Sequence, residues 1–218
     1  MRMFSTAVVA LALLALVAAM PAAASPVTLN NADFSASATP EGWTPDMAGW
    51  TKPNTAGSWD SALGHHSDAV AAAHGYVAYI NDWYNSGKVS QATSATYVEG
   101  NKYTFSIEVG FPPIKYNDNG GSVAAELLLM TQDGATLATA DIINPDFGNF
   151  HRYSVEYTAT AADAGKQVVV AFSKLQAPQW AETAEFDNAT LDVVAAPEPA
   201  TMTLLAVGGL SALIRRRK

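Results

Sequence analysis

The sequence predicts an all-β fold, a jelly-roll-like antiparallel β-sandwich with an N-terminal signal peptide and a short C-terminal transmembrane helix. Three observations carry this. Between residues 76 and 193 apolar side chains recur mostly every second position, the period of half-buried strands, rather than every 3.6. Glu99-Gly100-Asn101, Asp133-Gly134 and Asp163-Ala164-Gly165 cut the runs with residues that accept positive φ. The 173 residues from 25 to 197 suffice for one domain with a sizeable core and are short for two.

In chain order, Arg2 precedes an apolar run from Ala7 to Val17 and the small residues Ala22-Ala23-Ala24, which together predict a signal peptide over residues 1–24. Cleavage falls between Ala24 and Ser25, because cutting one residue later puts Pro26 at the scissile bond. The β-sandwich domain then spans residues 25–194. Its first strand is Val27–Leu29, and residues 35–75 read as irregular, with a short helix within 60–74. Val77–Asn81 and Lys88–Ala92 read as strands. In "YTFSIEVG", Tyr103, Phe105, Ile107 and Val109 share one face while Thr104, Ser106 and Glu108 share the other. "LLLMTQDGATLATA" is the clearest hairpin. "RYSVEYTAT" alternates again, "VAAELLLMT" and "QVVVAFS" are continuously apolar as central strands are, and Phe186–Val193 closes the domain. About nine or ten strands suit a jelly roll or a related sandwich.

Charge narrows the partners. Five bases, Arg2 and Arg215–Lys218, and one acid, Glu198, lie outside residues 25–197, so seven of the 12 bases and nineteen of the 20 acids remain, a net charge of about −12. Such a domain repels nucleic acid and anionic lipid and is compatible with cations. The chain has no cysteine, which excludes disulfides, zinc–thiolate sites and thiol nucleophiles.

The catalytic signals are weak. There is no G-x-S-x-G elbow; "NGGSVAA" has the glycine pair before Ser122 without the rest. Glu182, Glu185 and Asp187 have the chemistry for acid–base work on a glycan, but close acid pairs are expected by chance among so many. His65, His66 and His74, with Asp60 and Asp68, match no strong metal spacing, and His151 opens a strand and reads as structural. Trp83, Tyr84 and Trp180 lie in or near loops, as does Trp59, and the first three suit stacking on sugar rings. Trp43 and Trp50 read as core. Calcium is the favoured ion: "NNADFS" and "AEFDNATLD" place Asn31, Asp33, Asp187 and Asn188 on first and last segments, which lie side by side in many jelly rolls.

Two resemblances add to this reading. Pro197-Glu198-Pro199, the apolar span Ala200–Ile214 and the bases Arg215, Arg216, Arg217 and Lys218 resemble a PEP-CTERM sorting signal, with Ala195–Pro197 as the linker into it. The resemblance implies a Gram-negative bacterium that makes exopolysaccharide, processing by an exosortase in the inner membrane, and delivery to the cell surface or extracellular matrix. Fifteen apolar residues span about 22 Å, short of a hydrocarbon core about 30 Å thick, which suits transient anchoring before removal near Pro197–Pro199. The stretches "NADFS", "AYIND", "VSQATSATYVEGNKYTFSIEVG" and "EFDNATL" are similar to carbohydrate-binding-module-like jelly rolls, a group that includes hapalindole-type cyclases. Ser35 stands where that group carries an acid. The resemblance makes Asp187 a ligand in a binding module or the acid in a cyclase. The expectation is an exported, non-catalytic protein binding exopolysaccharide and Ca2+, with an enzyme using Asp187 as the alternative.

Overall fold

The computed structural model describes residues 23–61, 67–81, 87–111, 124–143, 148–175 and 183–196. Among these residues there are eleven strands and one α-helix: β1 (Ser25–Val27), β2 (Trp43–Thr44), β3 (Ala56–Asp60), α1 (Asp68–His74), β4 (Tyr76–Ile80), β5 (Val89–Thr96), β6 (Lys102–Gly110), β7 (Ala124–Thr131), β8 (Thr136–Ile143), β9 (Phe150–Thr158), β10 (Gln167–Leu175) and β11 (Ala184–Val194). They form two antiparallel sheets. The larger runs β2-β3-β4-β11-β6-β9, with β1 also paired to β11, and the smaller runs β5-β10-β7-β8.

Period-two alternation puts the core between the sheets. Tyr103, Phe105, Ile107 and Val109 of β6 are buried, whereas Ser106 and Glu108 between them are half-buried on the opposite face. From the smaller sheet Leu127, Leu129, Val168, Val170 and Phe172 complete the same cluster. Phe172 meets Phe186 of β11 with ring centroids 4.3 Å apart, so one aromatic pair links the two sheets. Phe34 and Trp50 add two more rings at 6.1 and 5.4 Å from Phe172. Trp50 is core, as its sequence context predicts.

The structure corrects three expectations. Residues 35–75 are not simply irregular, since they contribute β2 and β3, while α1 falls within 60–74, where a short helix is expected. "AGSWD" shows no apolar alternation because Gly57 and Ser58 occupy buried strand positions; pairing of Ser58 with Ala78 and of Trp59 with Val77 makes the strand. Trp59 therefore belongs to a strand, not a loop. Trp43 is 54% exposed rather than core, because β2 is a two-residue edge strand with its ring on the outer face.

Helix α1 starts at Ser67, whose hydroxyl accepts a hydrogen bond from the Val70 amide, and ends at Gly75 with φ +59°, a conformation that suits glycine. Among the described residues no helix is long and apolar enough to cross a membrane. The expected span Ala200–Ile214 and the expected signal peptide through residue 22 lie outside them.

Candidate functional site on the outer face of the larger sheet

Strand β11 carries an irregularity that builds the site. Phe186 and Ala189 both reach the core although two residues separate them, and Asn188 has φ +52°, so Asp187 and Asn188 are accommodated by a bulge. Both side chains then turn to the face away from the smaller sheet. Asp187 is 1% exposed there. Its Oδ1 accepts from the Asn188 backbone amide at 2.7 Å, and its Oδ2 lies 3.1 Å from the donating Asn188 Nδ2 and 2.9 Å from His74 Nδ1.

Three neighbours complete the group. Glu108 of β6 points its Oε2 toward His74 Nδ1 at 3.6 Å and accepts from Asn188 Nδ2 at 2.8 Å. Its other oxygen accepts from Arg152, which β9 places directly opposite Glu108 in the antiparallel register, at 3.2 Å. Arg152 also donates to the Asn188 carbonyl oxygen at 3.1 Å. His74 sits at the end of α1 with its ring stacked on Phe150 at 4.0 Å and 23°. Gly110 makes room for Phe150, since a Cβ there would lie 2.8 Å from the ring. Burial, foremost, then the nearby charges of Glu108 and Asp33 push the Asp187 carboxyl up to about 8, although the Asn188 amide and Arg152 oppose the rise.

An aromatic strip adjoins this cluster on the same face. Trp43 pairs in register with Trp59, whose ring lies 4.7 Å from Tyr79 at 30°. Trp59 Nε1 donates at 2.8 Å to Oε1 of Glu185, a fully buried carboxylate two residues before Asp187. Tyr79 lies over Gly57, where a Cβ would meet its hydroxyl at 2.8 Å and the Thr44 carbonyl oxygen at 2.3 Å. Burial pushes the Tyr79 hydroxyl above its ordinary pKa.

The residues expected to hold calcium are only partly brought together. Asn31, Asp33 and Asn188 line one open, shallow depression with Ala32, Arg152, Ala189 and Thr190. Asn31 spends its side chain on the turn, accepting from the Ala36 amide at 2.8 Å and donating to the Ala48 carbonyl at 3.0 Å. Asp33 Oδ1 accepts from the Ser35 amide and hydroxyl at 3.2 and 2.9 Å. Asp187 instead joins His74 and Glu108. Of the expected acid group, Glu185 binds Trp59, and Glu182 lies outside the described residues. So do Trp83, Tyr84 and Trp180, His65 and His66, and the sorting residues Pro197, Glu198, Pro199, Arg215, Arg216 and Arg217.

Sequence reasoning missed Glu108, Arg152, Tyr79 and the strand role of Trp59. Glu108 and Tyr79 were visible only as off-core positions of alternating strands; their company is set by strand order and register, which periodicity does not encode.

A family model described as HpiC1 cyclase matches residues 25–192, and the PEP-CTERM protein-sorting motif matches residues 195–218. The fold is similar to that of a Stig cyclase, Fisc, from Fischerella sp. TAU in complex with (3Z)-3-(1-methyl-2-pyrrolidinylidene)-3H-indole, at TM-score 0.65 and 18% identity over 80% of this chain and 100% of that one. It is also similar to TmCBM61 in complex with β-1,4-galactotriose, at TM-score 0.51 and 10% identity over 77% and 98% of the two chains. No curated protein matches the chain. The sandwich is a jelly roll, and the sorting motif marks an exported chain processed at the membrane by an exosortase-type enzyme.

Proposed function

We propose that this chain, which belongs to the HpiC1 cyclase family over residues 25–192, is an exported, non-catalytic binding protein of the cell surface or extracellular matrix in a Gram-negative bacterium. Its ligand is exopolysaccharide, taken by stacking on the aromatic strip of the larger sheet, and Trp83, Tyr84 and Trp180 are further stacking candidates on their chemistry. One observation carries this reading: Asp187 is 1% exposed, tied to His74 and Asn188, and the His74 ring is itself covered by Phe150. A general acid has to touch the atom it protonates. Among the described residues the face offers to solvent the half-exposed Trp43, paired in register with Trp59, whose ring meets Tyr79 at 4.7 Å and 30°, aromatic rings of the kind that stack on sugars.

The direct test is a glycan array and a pull-down with the host's own polysaccharide, comparing wild type with Trp43→Ala, Trp83→Ala and Trp180→Ala. Each stacking ring contributes on the order of 1 kcal/mol, so each loss weakens binding by roughly fivefold to tenfold. Wild-type protein that binds no glycan sinks the sugar part of the reading.

Family membership and the elevated Asp187 pKa favour a second reading, a cyclase in which Asp187 is the proton donor. The similar Fischerella enzyme is a cyclase seen with an indole bound, so indole-bearing compounds are the substrates to offer. Turnover by wild type that disappears in Asp187→Asn would replace the binding reading with this one.

A further inference from the structure

We infer that His74, Glu108 and Asp187 form a binding site for one divalent first-row transition ion. Their ligating atoms all lie within 4.8 Å of one another, and each comes from a different element, α1, β6 and β11. The spacing suits a shared ion. With metal–ligand bonds of about 2.1 Å, neighbouring donors stand about 3.0 Å apart in an octahedral shell and about 3.4 Å apart in a tetrahedral one. For the two pairs that involve the imidazole, His74 Nδ1 is 2.9 Å from Asp187 Oδ2 and 3.6 Å from Glu108 Oε2, values that bracket both geometries, and the ion would take the place of the proton now shared between His74 and Asp187.

The surroundings resemble the outer shell of a metal centre. Arg152 engages Oε1 of Glu108 and leaves Oε2 facing the imidazole. Asn188 Nδ2 donates to both candidate ligand oxygens, each of which keeps a second lone pair. Phe150 fixes the plane of the imidazole by stacking on it. Asp187 is buried, and among the described residues no Lys or Arg bonds to it. Burying a carboxylate is costly unless a cation or a proton compensates it, and an ion held between two carboxylates supplies the charge.

The donor set decides the class of ion. One imidazole with two carboxylates suits zinc, manganese or a neighbouring metal, whereas calcium takes six to eight oxygens and avoids nitrogen. This site is therefore distinct from the oxygen-only set of Asn31, Asp33, Asp187 and Asn188, although the two share Asp187. It goes beyond the sugar-binding reading and stands or falls without it, because no glycan enters the measurement.

The test is calorimetric titration of chelator-treated full-length protein with Zn2+, Mn2+ and Ca2+, alongside thermal unfolding with and without each ion. The expected result is one Zn2+ or Mn2+ per chain, a raised unfolding temperature, and affinity at least about tenfold to a hundredfold weaker in His74→Ala and Glu108→Gln. Glu108 is partly exposed on the sheet surface, so Glu108→Gln keeps the fold testable if His74→Ala does not. Co2+ substitution adds a direct readout, a visible ligand-field spectrum that His74→Ala abolishes. Absence of Zn2+ and Mn2+ binding, preference for Ca2+, or binding unchanged in both variants would overturn the site.

Discussion

Two aspartates show how one residue type acquires opposite roles. Asp163 is 5% exposed and accepts from Tyr157 Oη at 2.5 Å, Thr160 Oγ1 at 2.6 Å and the Thr160 amide at 3.2 Å, which close the turn from β9 to β10. The Thr160 and Tyr157 hydroxyls, in that order, hold its carboxyl below the usual range. Its ionised form therefore stabilises the fold above the unfolded pKa near about 4, and that contribution is lost as pH falls through the lower folded value. Asp163→Asn should unfold at lower temperature than wild type at pH 7, with the gap narrowing on acidification; a gap independent of pH would contradict this. Asp187 has the reverse sign. It is faced by His74, Glu108, Arg152 and Asp33, and its carboxyl is pushed up to about 8. Between about pH 4 and 8 the folded chain keeps a proton that the unfolded chain has lost, so stability falls as pH rises across that window. In chelator, thermal unfolding of Asp187→Asn should lack this decline. A slope equal to that of wild type would show that Asp187 does not titrate in this way.

At the scale of elements, the site depends on two glycines that let rings lie against backbone. Gly57 in β3 admits Tyr79 and the Thr44 carbonyl, so Gly57→Ala should cost about 1–3 kcal/mol of stability and lower affinity for any ligand of the aromatic strip. Denaturant unfolding measures the first and glycan binding the second. Gly110→Ala displaces Phe150 from the Gly110 surface and with it the ring stacked on His74, so it should weaken metal binding without touching a ligand. Wild-type metal affinity in that variant would argue that Phe150 does not position His74. These elements also mark where the sequence was legible. Strands β6, β7, β9 and β10 follow from alternation or continuous apolar runs because side-chain burial repeats along them. Strands β2 and β3 do not, because "WT" and "AGSWD" take their structure from the neighbour they pair with. The final "FDN" was recognisable as a site segment, and Asp187 lies at its centre. The partners of Asp187 were not recognisable: Glu108 is distant in sequence and arrives through strand order, and His74 comes from a helix whose end is set by Gly75.

For the whole molecule, delivery and chemistry constrain each other. The sorting motif marks an exported chain, and outside the cytoplasm a cysteine-free domain depends on its core, joined across the sheets by Phe172 and Phe186, and on any ion it binds. An ion on Asp187 and proton donation by Asp187 exclude each other, because a coordinated carboxylate has no proton to give. Metal stoichiometry thus bears on the cyclase reading as well as on the site itself. The tail adds the last test. By count, fifteen residues at about 1.5 Å per helical residue would fall short of a membrane core, and the proposed function takes the motif as an address that is removed once read. Intact mass measurement of the protein recovered from the cell surface or matrix should show a chain ending near Pro197–Pro199. Pro197→Ala with Pro199→Ala should leave the longer chain in the membrane fraction. Matrix protein that still carries Lys218 would mean that the address is kept, and that the four terminal bases act on the delivered protein rather than only on its route.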